Sequence, residues 1–289
     1  MLTTKSKKPG ACDVPELPEV ENVAIALRKH LTGRILTDIK VKSSKVLGQC
    51  GTATRRALVG RALNGVHRHG KYLILNFSDG QRPDTHLMIH LRMTGQIFIL
   101  DGYIPDKHVH LIFDFDGLPV HYRDIRKFGR LELVDDAVNP SAIAHVGPDM
   151  LLVRFKEWHQ RIAHRRAPMK ALLLDQGIAA GLGNIYVDES LFLAGVHPLT
   201  RPVDLSEEQL REILRRCKQV LRNSIKHGGT TFMNYTNFHG KPGNFKSKLR
   251  VYGRAGDNCS RCGEIIQGIR IAGRSSCFCP KCQHSNIHY

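Results

Sequence analysis

The chain has 289 residues, enough for two domains with separate hydrophobic cores. Its 43 Lys and Arg against 26 Asp and Glu give a formal charge of +17. That excess calls for a polyanionic partner, nucleic acid first and a ribosomal or membrane surface second. No apolar run reaches membrane-spanning length and the N-terminus has no apolar signal core, so a membrane-spanning or exported scaffold is not expected. Of eight cysteines, four fall in two Cys-x2-Cys pairs and the other four have no regular spacing, which fits a reducing cytoplasm better than a disulfide scaffold.

Residues 1–13 are polar, carry Lys5, Lys7 and Lys8, and show no periodicity; they read as a disordered tail. The first predicted element is a helix from about Leu17 to Leu31. Pro18 suits its first turn, Glu19 and Glu21 lie near its positive end, and Gly33 is a natural stop. Val20, Val23, Ala24, Leu27 and Leu31 share one face. Pro15 and Glu16 fall just outside its N-terminus.

From Ile35 to about Leu133 the pattern is β-rich. Apolar segments at 35–41, 72–77, 87–93, 96–100 and 111–115 are separated by turns such as Ser78-Asp79-Gly80 and Asp116-Gly117. Short strands after one helix predict an antiparallel sandwich or barrel. His69-Gly70-Lys71 lifts a lysine from a loop. Arg126-Lys127-Phe128-Gly129 joins cations to one aromatic ring, which suits phosphate contact with base wedging and equally suits a solvated strand edge.

Asp135 to Pro148 reads as a linker. Beyond it helices are expected around Phe155–His164, Ala171–Leu174, Tyr186–Ala194 and Ser206–His227, the last opened by the capping box Ser206-Glu-Glu-Gln209. Gly181-Leu-Gly183-Asn184 is a tight turn whose backbone donors, with a helix N-terminus, could hold a phosphate; a plain interhelical turn explains it equally well. Gly228 to Arg254 is loop-rich. Last come Cys259-Ser-Arg-Cys262 and Cys279-Pro-Lys-Cys282, sixteen residues apart, the spacing of one tetrahedral zinc site. Ile269 and Ile271 predict a strand between the pairs, and Gly273-Arg274 puts a guanidinium near the tip of a metal-pinned hairpin. Cys12, Cys50, Cys217 and Cys277 are left outside that site.

At Pro15-Glu-Leu-Pro-Glu-Val-Glu21 the chain resembles the start of the formamidopyrimidine-DNA glycosylases, bacterial enzymes that remove oxidised purines. The resemblance runs on through His69-Gly-Lys71-Tyr-Leu, His90-Leu-Arg-Met93-Thr-Gly, Arg126-Lys-Phe128-Gly, Leu173-Leu-Asp-Gln, Gly181-Leu-Gly-Asn184-Ile-Tyr186-Val-Asp-Glu189, Val251-Tyr-Gly-Arg254 and the cysteine pairs. It covers roughly 275 residues in the expected order, beyond motif coincidence. It implies an α+β fold: an N-terminal helix on an antiparallel β-sandwich (residues 15–136), a helix–two-turn–helix domain (137–250) and a β-hairpin zinc finger (251–289), with residues 1–14 as an extension.

The resemblance also implies roles. The Pro15 amine would attack the anomeric carbon of the damaged nucleotide, and Glu16 would protonate the sugar ring oxygen as the ring opens. β- and then δ-elimination would cut the strand. Glu19 would help hold the site. Lys71, Asn184 and Arg274 would grip phosphates, with Lys170 and Tyr186 in the DNA-binding set. Met93, Arg126 and Phe128 would fill the gap left by the everted nucleotide, Phe128 as wedge and Arg126 against the orphaned cytosine. Cys259, Cys262, Cys279 and Cys282 would hold one structural Zn2+. The implied partner is double-stranded DNA carrying 8-oxoguanine or formamidopyrimidines, bound by a cytoplasmic monomer.

The chain departs from the family in two places. Pro15 follows fourteen residues, and a prolyl amide has no nucleophilic lone pair to offer. Val14 stands where the family has its initiator Met, and a GTG codon encodes Met only at initiation, so the expectation is a start there, with proteolytic processing as the rival. Second, Thr231 is followed by Phe232-Met233-Asn234-Tyr235 where the family carries an Arg-Asp pair, which bears on lesion choice. Two alternatives stay open: an endonuclease VIII-like enzyme for oxidised pyrimidines, and a non-catalytic damage-binding protein. The Pro-Glu-Leu-Pro-Glu start and the Met93, Arg126, Phe128 set favour the purine enzyme. Glu16 and Lys71 beside Pro15 argue against a pure binder.

Overall fold

A computed structural model describes residues 14–43, 46, 51–100, 102–230 and 243–284. The N-terminal tail, Cys12, Cys50 and the loop residues Phe232 to Tyr235 lie outside the described residues.

The first helix, α1, spans Leu17–Leu31, and its start is fixed by the acidic residues before and within its first turn. Glu16 is the N-cap, and its backbone N–H donates to Glu19 Oε2 at 3.0 Å. The apolar stripe read from the sequence is the buried face. The helix serves two cores. Val20 to Leu31 enter the sandwich core, whereas Leu17 packs among Trp158, Leu182 and Tyr186 of the helical lobe.

Eight strands follow: β1 Leu36–Val41, β2 Ala62–His69, β3 Tyr72–Ser78, β4 Thr85–His90, β5 Gly95–Phe98, β6 Val109–Phe115, β7 Leu118–Asp124 and β8 Arg130–Val134. A short helix, α2 (Gly51–Leu58), lies between β1 and β2. The strands form two four-stranded sheets, ordered β1-β6-β7-β5 and β2-β3-β4-β8, with antiparallel pairing throughout. Leu73, Leu75 and Phe77 alternate inward from β3 to meet Leu111, Phe113 and Phe115 of β6, with the Phe77 and Phe115 rings stacked at 6.3 Å.

The structure adds β2, β7, β8 and α2 to the expected elements. β2 and β7 are rich in His and Arg and carry little apolar signal. The expected strand through Met93 stops at His90, because Arg92 adopts a left-handed φ of 53°. The stretch read as a linker is partly core: Ile143 packs on Ile74 and Met88 on the outer face of β3 and β4.

The helical lobe comprises α3 (Phe155–Ile162), α4 (Met169–Leu174), α5 (Asn184–Ala194) and α6 (Glu207–Lys226). Ser206 caps α6 as expected, accepting from Gln209 N–H at 3.3 Å. α5 is unlike the others. Every residue from Ile185 to Phe192 is buried, so the helix has no solvent face. A C-terminal hairpin, β9 (Gln267–Ile271) and β10 (Arg274–Phe278), turns through Ala272 and Gly273, both at positive φ. Among the described residues no helix is long and apolar enough to cross a membrane.

Candidate active site

Two carboxylates lie buried at the joint between the lobes. Glu16 reaches the N-terminus of α5, where Oε2 accepts from Gly183 N–H at 2.6 Å and Oε1 from Ile185 N–H at 3.0 Å. A helix N-terminus holds an anion well, and here the anion is the protein's own carboxylate. The turn donors read as a phosphate cradle are therefore partly committed to Glu16. A Cβ at residue 183 would collide with that carboxylate, so only glycine fits there. Leu17 N–H donates to Gly181 O at 3.1 Å, which fastens the same chain segment to the same turn. Pro15 is buried immediately before Glu16.

Glu19 sits one turn on. Its Oε1 accepts from Tyr186 Oη at 2.5 Å and from Thr230 N–H at 2.7 Å. Tyr186 Oη also meets Ser224 Oγ at 2.7 Å and Thr230 Oγ1 at 3.0 Å. Burial pushes the Glu19 carboxyl up to about 7, against the hydrogen bonds from Thr230 and Tyr186. Burial also raises Glu16, and the Lys71 charge and the α5 amides pull the other way. The site thus holds carboxyl groups that stay protonated at higher pH than usual, as an acid catalyst requires.

Lys71 is carried by the tight turn between β2 and β3. That turn is locked to the helical lobe: Asp149 accepts from Gly70 N–H at 2.8 Å and from the Arg68 guanidinium, which also pairs with Glu21. His69 Nε2 meets Gly147 O at 2.8 Å. Burial holds the Lys71 ammonium below its usual range; Glu16 and Glu19 oppose this, and nearby Arg274 adds to it. Arg274 itself is exposed at the start of β10.

Asn184 joins the α5 N-terminus to that hairpin, with Nδ2 donating to Ser275 O at 3.0 Å. Its Oδ1 is buried and finds no partner among the described residues.

Met93, Arg126 and Phe128 come together on the sandwich lobe. The Arg126 guanidinium lies over the Phe128 ring at 4.5 Å, and its Nη1 is 3.0 Å from Met93 Sδ. Phe128 remains 48% exposed.

Lys170 and Tyr186 are corrections. Both were expected to meet DNA, and both are fully buried. Lys170 Nζ donates to Asp188 Oδ1 at 2.6 Å and to Ser275 O at 3.1 Å, tying α4, α5 and β10 together. Tyr186 spends its hydroxyl on Glu19. Both place other residues and reach no ligand surface themselves.

The sequence reading passed over Asp188 and Glu189. Asp188 also accepts from Ser276 Oγ at 2.8 Å and Cys277 N–H at 2.9 Å. Glu189 Oε1 accepts from the N–H groups of Arg250, Val251 and Tyr252 at 3.0, 2.9 and 2.9 Å. A signal existed: α5 has apolar residues on every side of its two acids, so the acids had to be buried and therefore partnered.

The Sγ atoms of Cys259, Cys262, Cys279 and Cys282 all lie within 4.8 Å of one another. Ligands about 2.3 Å from a tetrahedral zinc stand about 3.8 Å apart, so the set fits one Zn2+. Cys277 and Cys217 stand outside it. The zinc has a structural role, pinning the base of the hairpin whose tip carries Arg274. Gln283 braces the knuckle, accepting from Cys279 N–H at 2.9 Å and donating to Val196 O at 2.9 Å.

Comparison with known proteins matches all three parts of this arrangement. The formamidopyrimidine-DNA glycosylase N-terminal domain matches residues 14–131, the formamidopyrimidine-DNA glycosylase H2TH domain residues 146–236, and the zinc finger found in FPG and IleRS residues 256–284. A formamidopyrimidine-DNA glycosylase of Desulforamulus reducens is 39% identical over 283 residues, covering 93% of this chain and 99% of the relative. One from Chloroflexus aurantiacus is 39% identical over 275 residues, covering 93% and 98%. Among solved structures, a point mutant of Lactococcus lactis FPG in complex with Fapy-dG-containing DNA superposes with a TM-score of 0.84 at 33% identity, covering 94% of this chain and 100% of that one. Lactococcus lactis Fpg in complex with abasic-site DNA gives the same TM-score, identity and coverage. A likeness that spans both lobes and the cysteine hairpin, in sequence as well as in shape, places this chain in the formamidopyrimidine-DNA glycosylase family.

Proposed function

We propose that this chain is a DNA glycosylase and AP lyase that excises oxidised purines from duplex DNA, with Pro15 as nucleophile and Glu16 as acid. The observation that carries the reading is the burial of Glu16 at the α5 N-terminus, directly after Pro15 and within the field of Lys71. The Pro15 nitrogen lone pair attacks C1′ as the N-glycosidic bond breaks with its electron pair leaving on the base, and the proton that the amine sheds passes to the base. Glu16 gives its proton to O4′ as the C1′–O4′ bond opens, leaving an iminium between Pro15 and C1′. The iminium acidifies C2′; loss of that proton expels the 3′ phosphate, and a second elimination expels the 5′ phosphate.

The nucleophile must be a secondary amine, so the role requires Pro15 to end the chain, by a start at the Val14 codon or by processing. Lys71, Asn184 and Arg274 supply phosphate contacts in this reading, and Met93, Arg126 and Phe128 fill the vacated base position. Lys170 and Tyr186 support the site from within. The family likeness and the Lactococcus lactis complex with Fapy-dG-containing DNA support the choice of lesion.

The test compares cleavage of an 8-oxoguanine·cytosine duplex with that of a thymine-glycol duplex. Preference for the first is expected; preference for the second would make the chain an oxidised-pyrimidine enzyme. Glu16→Gln serves as the control: excision should fall about 10²–10⁴-fold while duplex binding holds. Equal loss of binding would count against Glu16 as the acid.

A further inference from the structure

Met93, half-buried, and the exposed Arg126 and Phe128 sit on two separate turns, and side chains on separate turns do not hold a common geometry unaided. One buried side chain joins those turns. Asp124, at the end of β7, is fully buried. Its Oδ1 accepts from Thr94 Oγ1 and, at 3.2 Å, from Arg126 N–H. Its Oδ2 accepts from Gly129 N–H at 2.8 Å and lies 3.5 Å from Tyr122 Oη. Thr94 Oγ1 in turn accepts from Arg126 N–H at 3.0 Å. The backbone of Asp124 is fixed as well: its N–H donates to His108 O at 2.9 Å, and its carbonyl meets His110 Nε2 at 2.8 Å.

The two turns need such an anchor. Arg92, just before Met93, has φ 53°, and Lys127, between Arg126 and Phe128, has φ 57°. Non-glycine residues keep that conformation only where surrounding contacts over-determine it. At residue 129 any Cβ would overlap the Tyr122 hydroxyl, so glycine lets the loop close onto the Asp124 carboxylate.

We propose that Asp124 is the positioning residue of the base-replacement set, the group that holds the Met93 turn and the Arg126–Phe128 loop as one preformed wedge. The proposal rests on the reading of Met93, Arg126 and Phe128 given above. A carboxylate suits the task because every group facing it is a donor, and it is acceptor-only. An amide of the same shape would turn its NH2 toward one of those donors. The wedge would then have to be ordered during insertion, and displacement of about 1 Å costs of the order of 10²-fold in rate.

The test uses stopped-flow fluorescence of 2-aminopurine placed beside an 8-oxoguanine in duplex DNA, with cleavage of an abasic single strand as reference. The single strand has no orphaned partner base and needs no wedge. For Asp124→Asn, the fluorescence phase of insertion should slow about tenfold or more, and the ratio of duplex to single-strand cleavage should fall about as far. An unchanged phase and ratio in the folded variant would overturn the proposal. So would equal loss on both substrates, which marks a merely structural role. If Asp124→Asn does not fold, Thr94→Val decides. It removes one donor at nearly constant shape, so slowed insertion supports the hub and unaltered insertion overturns it. Phe128→Ala is run alongside. An unchanged phase there refutes the wedge reading itself, whereas a lost phase there with an unchanged one in Asp124→Asn refutes only the hub.

Discussion

Glu16 and Glu19 are ordinary carboxylates placed where their charge is poorly solvated. Removal from water opposes ionisation, and backbone amides, Tyr186 and Lys71 recover only part of that loss. The consequence for stability has a definite sign. Glu19 moves from 4.5 to about 7, so between those values the folded chain keeps a proton that the unfolded chain has released. Stability from this group is full below pH 4.5 and is lost as pH rises to about 7. The span corresponds to about 3 kcal/mol. Glu19→Gln should flatten that part of the profile, measured by urea unfolding at pH 5 and pH 7.5. An equal slope in both proteins would show that Glu19 is not the titrating group. At this scale the sequence was only partly legible. The start of α1 and the position of Glu16 just before it could be read from Pro18 and the acidic residues beside it. The partners of Glu19 lie at Tyr186 and Thr230, beyond any local pattern.

α5 is the element on which the others converge. Its N-terminus holds Glu16, Tyr186 holds Glu19, Asp188 holds Lys170 and the zinc hairpin, and Glu189 holds residues 250–252. The motif Gly183-Asn184-Ile-Tyr186-Val-Asp188-Glu189 thus faces several directions at once, which a helix can do only when buried on all sides. Lys170→Met should leave the Asp188 carboxylate buried without its cation, lowering stability by about 3–5 kcal/mol in thermal or urea unfolding. DNA affinity should fall with it, because Ser275 and Arg274 share the hairpin that Lys170 supports. A fully stable Lys170→Met that loses only DNA affinity would return Lys170 to the ligand surface and contradict its placement here. The amphipathic helices α1 and α6 were legible from their stripes. α5 has no stripe, so its turn is left open between a phosphate-holding loop and a plain interhelical turn, and its acids go unassigned. β2 and β7 were hidden for a related reason: polar side chains occupy positions where strand patterning expects apolar ones.

At the scale of the whole molecule, the charge excess and the two-lobe plan belong together. α1 contributes to both cores, and the pairing of Arg68 with Glu21 and Asp149 clamps the β2–β3 turn onto the helical lobe. The cations Lys71 and Arg274 come from opposite lobes, and each bears on the charge of the other. Removing residues 1–13 takes away three lysines and one aspartate, so the chain stays strongly basic. Domain order and the zinc site were legible because cysteine spacing and composition are local. The seating of Glu16 on the α5 amides was not, because it depends on how the lobes close. The central claim is that a free Pro15 amine does the chemistry. Borohydride trapping on an 8-oxoguanine·cytosine duplex, on protein expressed from its own start region, tests it most directly. Mass spectrometry of the cross-linked peptide should find the sugar remnant on an N-terminal Pro15. Absence of any adduct, with Met1 or Leu2 at the terminus of the intact protein, or an adduct on another amine, would contradict it.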